Sequence, residues 1–544
     1  MPVTRQDTRL SDALIDAYER DGYWDSTTLT DLLEHNLTTK PDLPAFLDGQ
    51  TQLTWRQLWE TSESVAAGLR ARGVVAGDVV AVQLPNRVEF VVLLAAVARL
   101  GAVLCQFPPD YRTREVELIL SFSEARVVVV PERWKSFDYP AMIDQMRPRL
   151  PALQLALFLS SDGASQRHGW LELAELTAGT VSGLESTGQV RPDANDVMRI
   201  AFTSGTTGDP KAVLHTHNTT IFTNRRQNEQ WGITAQSRLL VLLPVGLNVG
   251  LFAIIQTCVA GATAILMDQF DAGDALALIE RERITTFLVA PTALIALLNH
   301  PSLSDRDVTS LQLVQTGGAS TPMQVLREAN TRLGCPVVDV YGMLESGWTS
   351  CTCASEPFEE WVGTVGRPHP WLQVRILDPD GTDFPPGAQG EITKTGPSIC
   401  VGYFRNSAKN AESWTADGWF RSGDLGSIDA QGRLRITGRT KDMIIHGGAN
   451  IWPRELEELL HLHPRVLDVT VIGVPDDYFG ENVCACVIPH PETEIDLQDV
   501  IDFLRGQVAK YKLPQRLELF DEFPTGPTGK IAKQVLRDQV ARRV

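Results

Sequence analysis

Residues 127–130 are four consecutive valines, the pattern of a parallel strand buried on both faces. The run belongs to a series. Residues 79–84 and 102–107 read as strands, with an apolar helix over 88–98 between them. Upstream, Thr54-x-x-Gln57 has capping-box form and opens a helix with Leu58, Val65, Ala66 and Leu69 on one face, ending before Gly73. After residue 217 the alternation returns. Strands are predicted over 239–243, 262–267, 286–290, 311–315 and 337–340, with helices over 251–259 and 274–283. Strand–helix alternation of this kind dictates an α/β architecture. Residues 131–196 are less regular and read as a connecting region. From about residue 365 short strands separated by Asp380-Gly381, Gly387 and Gln431-Gly432 turns predict a β subdomain. The polar segment Gly438-Arg439-Thr440-Lys441-Asp442 reads as a hinge before a compact module of about 100 residues. In that module a helix over 497–508, capped by Asp496, faces its core with Leu497, Val500, Ile501, Leu504 and Val508.

Several of the strands end in polar, glycine-bearing stretches: residues 203–208, 316–320 and 341–345. Ligands of open α/β sheets sit just outside strand C-termini, so these stretches point to one crevice. A chain of 544 residues has ample material for a large core and more than one domain. The net charge of −18 argues against nucleic acid or an anionic membrane as the main partner. The eight cysteines form no C-x-x-C pair, and Cys351/Cys353 and Cys484/Cys486 lack the flanking partners of a zinc site. Reduced, mostly buried thiols in a cytoplasmic protein are expected. The N-terminus has no apolar core of a signal peptide. The greasiest run, residues 90–105, is interrupted by Arg99 and Gly101 and is too short to span a membrane.

The first of these loops, Thr203-Ser204-Gly205-Thr206-Thr207-Gly208, is the most informative. Two glycines let backbone approach a ligand closely, three hydroxyls offer neutral donors, and successive free N–H groups form an anion nest. Pro210 prevents a helix from following directly, and Lys211 adds a cation. The pattern suits a polyphosphate. It is not a Walker loop, because the glycines are too close and no lysine follows the second one.

The full string AFTSGTTGDPKAVLHTH resembles the signature loop of the adenylate-forming (ANL) superfamily, which includes acyl-CoA synthetases, aryl-acid ligases and peptide-synthetase adenylation domains; Ala212 replaces the family's final Gly. Further motifs follow in order. Tyr341-Gly342-Met343-Leu344-Glu345 resembles Y-G-x-T-E, whose Glu holds Mg²⁺ and whose Tyr-Gly lines the adenine site; Leu344 departs from the usual Thr. Gly317-Gly318-Ala319 resembles the loop flanking adenine and carboxylate. Gly418 to Gly426, GWFRSGDLG, resembles the motif whose Asp, here Asp424, accepts the ribose hydroxyls, and Arg439 resembles an Arg that reaches ribose or phosphate. Pro524-Thr525-Gly526-Pro527-Thr528-Gly529-Lys530 resembles the segment whose Lys reaches the acid's carboxylate and the α-phosphate. Gly447 and Gly448 resemble the pair past which a pantetheine thiol travels, and Phe479 falls where some relatives stack the CoA adenine.

The resemblance covers about residues 50–535 and implies an α/β fold: a large N-terminal domain (1–437) of two α/β subdomains plus a β subdomain, a hinge (438–442, with Lys441), and a small mobile C-terminal α+β domain (443–544). It implies an ATP- and Mg²⁺-dependent enzyme that makes an acyl-adenylate from a small carboxylic acid. CoA is the expected acceptor, with an amine or a carrier-protein thiol as the alternative. Lys530, Glu345 and Thr206 are its expected catalytic residues. Thr203 to Gly208, Lys211, Gly317 to Ala319, Tyr341, Gly342, Asp424 and Arg439 would hold nucleotide. The acid pocket is expected from Gly246, Leu247, Asn248, Gly250, Thr316, Gly317, Met343 and Trp348. There Gly246 and Leu247 replace an aromatic and a His of the family, which would open space and favour a compact hydrophobic acid, cyclic or aromatic. A protein that only binds nucleotide is disfavoured by the presence of Glu345, Asp424 and Lys530. A monomer or homodimer is expected, without nucleic acid or membrane insertion.

Overall fold

The computed structural model describes residues 2–160, 166–178, 191–202, 211–319, 321–353, 356–361, 363–378, 381–439, 442–447, 449–476, 478–525 and 531–543. Apolar and β-branched runs supply its first sheet: β1 (Val79–Val82), β2 (Val103–Gln106), β3 (Val127–Pro131), β4 (Leu155–Leu159), β5 (Val197–Phe202) and β6 (Ala212–Thr216). The spatial order is β6-β5-β2-β1-β3-β4, with Leu171–Glu172 at the far edge. All neighbours run parallel except β6, which folds back antiparallel on β5 so that Phe202 faces Ala212. The β3 valines are fully buried, as a strand covered on both faces requires.

Helix α1 (Val88–Arg99) is buried along almost its whole length. Its side chains join those of the first sheet and of a second sheet in one core. The second sheet contains β7 (Arg238–Val241), β8 (Thr263–Leu266), β9 (Thr286–Val289), β10 (Leu313–Gly317), β11 (Val337–Met343) and β12 (Gly347–Cys351). Its order is β12-β11-β10-β9-β7-β8, flanked by Arg367–Pro368 and by Pro44–Leu47 with Gln52–Thr54. Strands β7 to β11 are parallel, and β12 returns antiparallel on β11. Two helices cover the side that faces the first sheet: α2 (His217–Trp231) and α3 (Asn248–Ala260). A third sheet, Gln373–Leu377 with β13 (Gly390–Thr395), β14 (Phe420–Ile428) and β15 (Leu434–Arg439), is an antiparallel meander. The C-terminal module pairs a mixed sheet with three helices, among them α4 (Pro453–Leu460). This is the expected α/β plan. Among the described residues no helix is long and apolar enough to cross a membrane.

The structure corrects four readings. Residues 131–196 are not merely connecting: they carry a helix at Tyr139–Met146 and strand β4, which pairs with β3 along its length. Pro, Ser and Gly around LALFL masked a short strand that is buried at its centre. Strand β11 runs three residues further than expected, so Tyr341, Gly342 and Met343 are strand, not loop. The helix expected over 497–508 stops at Leu504, because Arg505 is extended and Gly506 takes φ +83°. Finally, β15 runs two residues into the expected hinge, and Arg439 is held there by an ion pair to Asp424. Lys441 lies outside the described residues.

Candidate active site

The site is assembled around the hairpin β11–β12, whose turn presents Glu345. Glu345 is buried at 4% exposure. One carboxylate oxygen accepts from Tyr403 Oη at 2.9 Å, and its backbone carbonyl accepts from the Cys400 N–H at 2.6 Å. Burial and the neighbouring carboxylate drive the Tyr403 phenol up, so it stays a donor. The second Glu345 oxygen carries no hydrogen bond among the described residues. A single hard oxygen of this kind fits Mg²⁺, which keeps waters and takes its other ligands from phosphates.

Behind the turn, Lys394 of β13 is fully buried. Its ammonium donates to Ser346 Oγ and Thr349 Oγ1, each at 2.8 Å, and lies 5.2 Å from the Tyr341 ring centre. Burial lowers its pKa to about 8 against the pull of Asp424 and Glu345. Tyr341 in turn donates its hydroxyl to Asp424 Oδ2 at 2.6 Å, and Arg439 Nε meets Oδ1 at 2.8 Å. Asp424 and Arg439 are cross-strand partners on β14 and β15, so their meeting follows from register. A carboxylate has about four acceptor positions, and two are used here. The other two suit a vicinal diol.

His215 on β6 ties this hairpin to the strand that follows residues 203–210. Its Nε2 lies 2.8 Å from the Leu344 carbonyl, which only accepts, so Nε2 carries the proton and Nδ1 faces Thr219 Oγ1 at 3.2 Å. Burial and the positive Arg199 hold its pKa well below the ordinary histidine value. Sequence reading missed Tyr403, Lys394 and His215. The signal present was the HTH string beside the loop for His215; a Lys or Tyr in a short strand gives none.

The expected residues divide. Tyr341, Asp424 and Arg439 come together, and Lys394 links them to the Glu345 turn. Thr203, Ser204, Gly205, Thr206, Thr207, Gly208, Gly448 and Lys530 lie outside the described residues. The β5–β6 pairing sets Phe202 opposite Ala212, and Lys211 immediately precedes β6. Gly317 ends β10, where a Cβ would lie 2.6 Å from the Val340 carbonyl oxygen; Gly318 takes φ +87° and is exposed, as is Ala319.

A cavity of about 20 Å³ lies between α3 and the second sheet, lined in part by Val249, Phe252, Gln256, Leu288, Gln315 and Trp348. Trp348 lines this cavity. Leu247 and Asn248 stand where α3 begins, one turn before Phe252. Four expected pocket residues face elsewhere. Gly246 opens no space, because a Cβ there would lie 2.4 Å from the Phe107 carbonyl carbon and oxygen; the glycine admits close backbone packing. Gly250 does the same against the Pro244 carbonyl, 2.2 Å from its Cβ position. Thr316 is on the opposite face of β10, with Oγ1 3.2 Å from Thr321 Oγ1. Met343 packs with Val213, Cys400, Tyr403 and Phe420 beyond the hairpin.

In the C-terminal module, Gly447 takes φ +57° and donates its N–H to the Phe479 carbonyl at 2.8 Å. Phe479 stacks on His446 with ring centres 4.4 Å apart and is 41% exposed. Gly447 and Phe479 are thus neighbours.

The chain matches the AMP-binding enzyme family over residues 33–404 and the AMP-binding enzyme C-terminal domain over 455–530. It is 31% identical over 532 residues to the medium-chain fatty-acid–CoA ligase of Escherichia coli (strain K12), covering 97% of this chain and 93% of the relative. It is 33% identical over 521 residues to the indoleacetate–CoA ligase of Aromatoleum aromaticum, covering 95% and 98%. ATP-bound MatB from Rhodopseudomonas palustris superposes with a TM-score of 0.84 at 30% identity, covering 94% and 99%. With the motifs, the fold and these matches in agreement, the chain belongs to the AMP-binding enzymes, in the acyl-CoA synthetase and acid–AMP ligase branch of the adenylate-forming superfamily.

Proposed function

We propose that this protein activates a compact cyclic or aromatic carboxylic acid with ATP and passes the acyl group to CoA. The acid's carboxylate oxygen attacks the α-phosphorus and pyrophosphate leaves with the electron pair of the broken P–O bond; the thiol of CoA then displaces AMP from the acyl carbon. The observation that carries the reading is the clustering of Glu345 with the Asp424–Arg439–Tyr341 group around Lys394. Two anions must be aligned and their charge offset, which requires cations and positioned donors more than a base. Asp424 takes the ribose diol, Tyr341 and Gly318 border the base, and residues 203–208 with Lys211 cradle the phosphates. Glu345 would hold Mg²⁺, which would draw charge off the phosphate oxygens. Lys530 approaches the reacting carboxylate from the C-terminal domain, and rotation about 438–442 replaces it by the face bearing Gly447, Gly448 and Phe479. Phe252 and Trp348 supply the apolar wall against which the acid packs.

The test is product analysis by mass spectrometry. The protein is given ATP, Mg²⁺ and a panel of acids, with CoA in one series and an amine in another. AMP, pyrophosphate and an acyl-CoA are expected. Release of ADP, or no exchange of labelled pyrophosphate into ATP with any acid, would overturn adenylation. An amide with no thioester would move the acceptor to the amine.

A further inference from the structure

Strand β5 carries a cation that the adenylation chemistry above does not use. Arg199 is 0% exposed, yet among the described residues none of its three guanidinium nitrogens has a hydrogen-bond partner. Burial dominates its ionisation and lowers its pKa to about 9. A guanidinium has five donors and no acceptor. Buried polar groups are almost always paired, and a buried charge left alone is strongly unfavourable. Such an orphan calls for an anion that the described residues do not supply.

The surroundings say where that anion sits. Arg199 Cζ is 5.7 Å from the centre of the Phe252 ring, and the same ring lines the cavity beside Trp348. Gln106 lies on the neighbouring strand, on the same face, with both amide atoms unpartnered, and the Asn248 side-chain oxygen one turn before Phe252 is also unpartnered. Arg199 is in register with His215, whose ring reaches Leu344 beside Glu345. One strand spacing, about 4.8 Å, and one hydrogen bond therefore separate Arg199 from the turn that carries Glu345. The cavity that Phe252 and Trp348 line is small, so the molecule it takes is compact.

We propose that Arg199 selects the acid, and that the acid is a compact dicarboxylate whose second carboxylate is received by the Arg199 guanidinium while the first is activated. The inference rests on the acid-activating reading and refines it: the frame of the substrate is apolar, its far end is not.

The experiment compares matched acids, cyclohexanecarboxylate with cyclohexane-1,3-dicarboxylate and benzoate with isophthalate, on the full chain and on Arg199→Met and Arg199→Lys. AMP release gives kcat/KM, and titration calorimetry without ATP gives diacid binding separately from turnover. The wild type should favour a diacid by about tenfold or more, the effect of one charge-paired contact worth a tenfold step. Arg199→Met should lower that ratio by a similar factor and Arg199→Lys less, with the melting temperature of Arg199→Met unchanged or raised because an unpaired buried charge is gone. A ratio that Arg199→Met does not move would overturn the proposal, and so would equal loss of monoacid and diacid, which would put the guanidinium on the reacting carboxylate. Arg199-dependent diacid binding without AMP from any acid would sustain the site and sink the ligase reading. AMP from monoacids alone would do the reverse.

Discussion

Replacing Trp348 with alanine tests at once how the hairpin is packed and what the cavity is for. Trp348 is 4% exposed, and the Cβ position of Gly342 across the pair lies only 2.8 Å from its Cε3. Its neighbours are Phe252, Leu313, Val338, Val340 and Cys351. A buried tryptophan hides about 200 Å², which at about 25 cal/mol per Å² sets an upper figure of about 5 kcal/mol. Trp→Ala changes in cores cost about 3–5 kcal/mol when the space stays empty. The space opened here adjoins the existing cavity, so a larger acid should fill it and recover part of the loss. An acid at 100 times its Kd contributes about 2.7 kcal/mol. Urea unfolding with and without acids of graded size reads the first effect, and AMP release across the same acids reads the second. The optimum should move to larger acids, with bulky-to-small preference rising about tenfold or more, one 1.4 kcal/mol step. A stability loss under about 1 kcal/mol would contradict the packing argument. A large loss with unchanged size preference would show that Trp348 supports the hairpin without touching the acid.

Tyr403→Phe removes the donor to Glu345 at 2.9 Å and should cost about 1.5–3 kcal/mol in urea unfolding, as for a hydrogen bond to a buried charged group; AMP release should fall with it, and a variant as stable and active as the parent would refute the contact. Asp339, whose carboxyl burial raises from 3.8 to about 7 against the pull of Arg454, binds its proton more tightly folded than unfolded. Its stabilising effect is therefore complete below about pH 4 and lost as pH rises to about 7, at about 1.4 kcal/mol per unit. Asparagine imitates the protonated form, so melting curves of Asp339→Asn should gain on the parent from pH 5 to 8, and parallel profiles would remove the argument. Gly447→Val places a β-branched residue at φ +57° with its Cβ 3.3 Å from the Phe479 ring. Strain of about 1–3 kcal/mol should leave pyrophosphate exchange in place while thioester formation drops about tenfold or more; equal loss of both half-reactions would deny Gly447 a part in transfer.

Most parallel strands of both sheets were legible because a strand buried on two faces writes a short apolar run, although Leu155–Leu159 was hidden among Pro, Ser and Gly. Residues 127–130 are the clearest instance. Asp424 and Arg439 were named only through the family motifs they resemble; that they form a pair comes from the register of β14 and β15. What could not be read was tertiary. Lys394 alternates with its neighbours in β13 as a solvated lysine would, and only the packing of that strand against a hairpin 48 residues earlier buries it. His215 and Tyr403 act on atoms 129 and 58 residues distant. Gly246 shows the opposite error. The loss of a side chain suggested room, but backbone from another strand–loop junction, at Phe107, had taken it.

These contacts have a common consequence. The turn bearing Glu345 is gripped from three separate regions: by His215 on the strand leaving residues 203–210, by Lys394 of the third sheet, and by Tyr403 and Cys400 between them. Glu345 is therefore not a strand-end carboxylate free to follow a metal. Its position is set by the same elements that hold β6 and the Asp424 cluster. The grip from His215 is also insensitive to pH, because burial keeps the ring neutral far below the ordinary histidine range and its one proton is already committed to the Leu344 carbonyl.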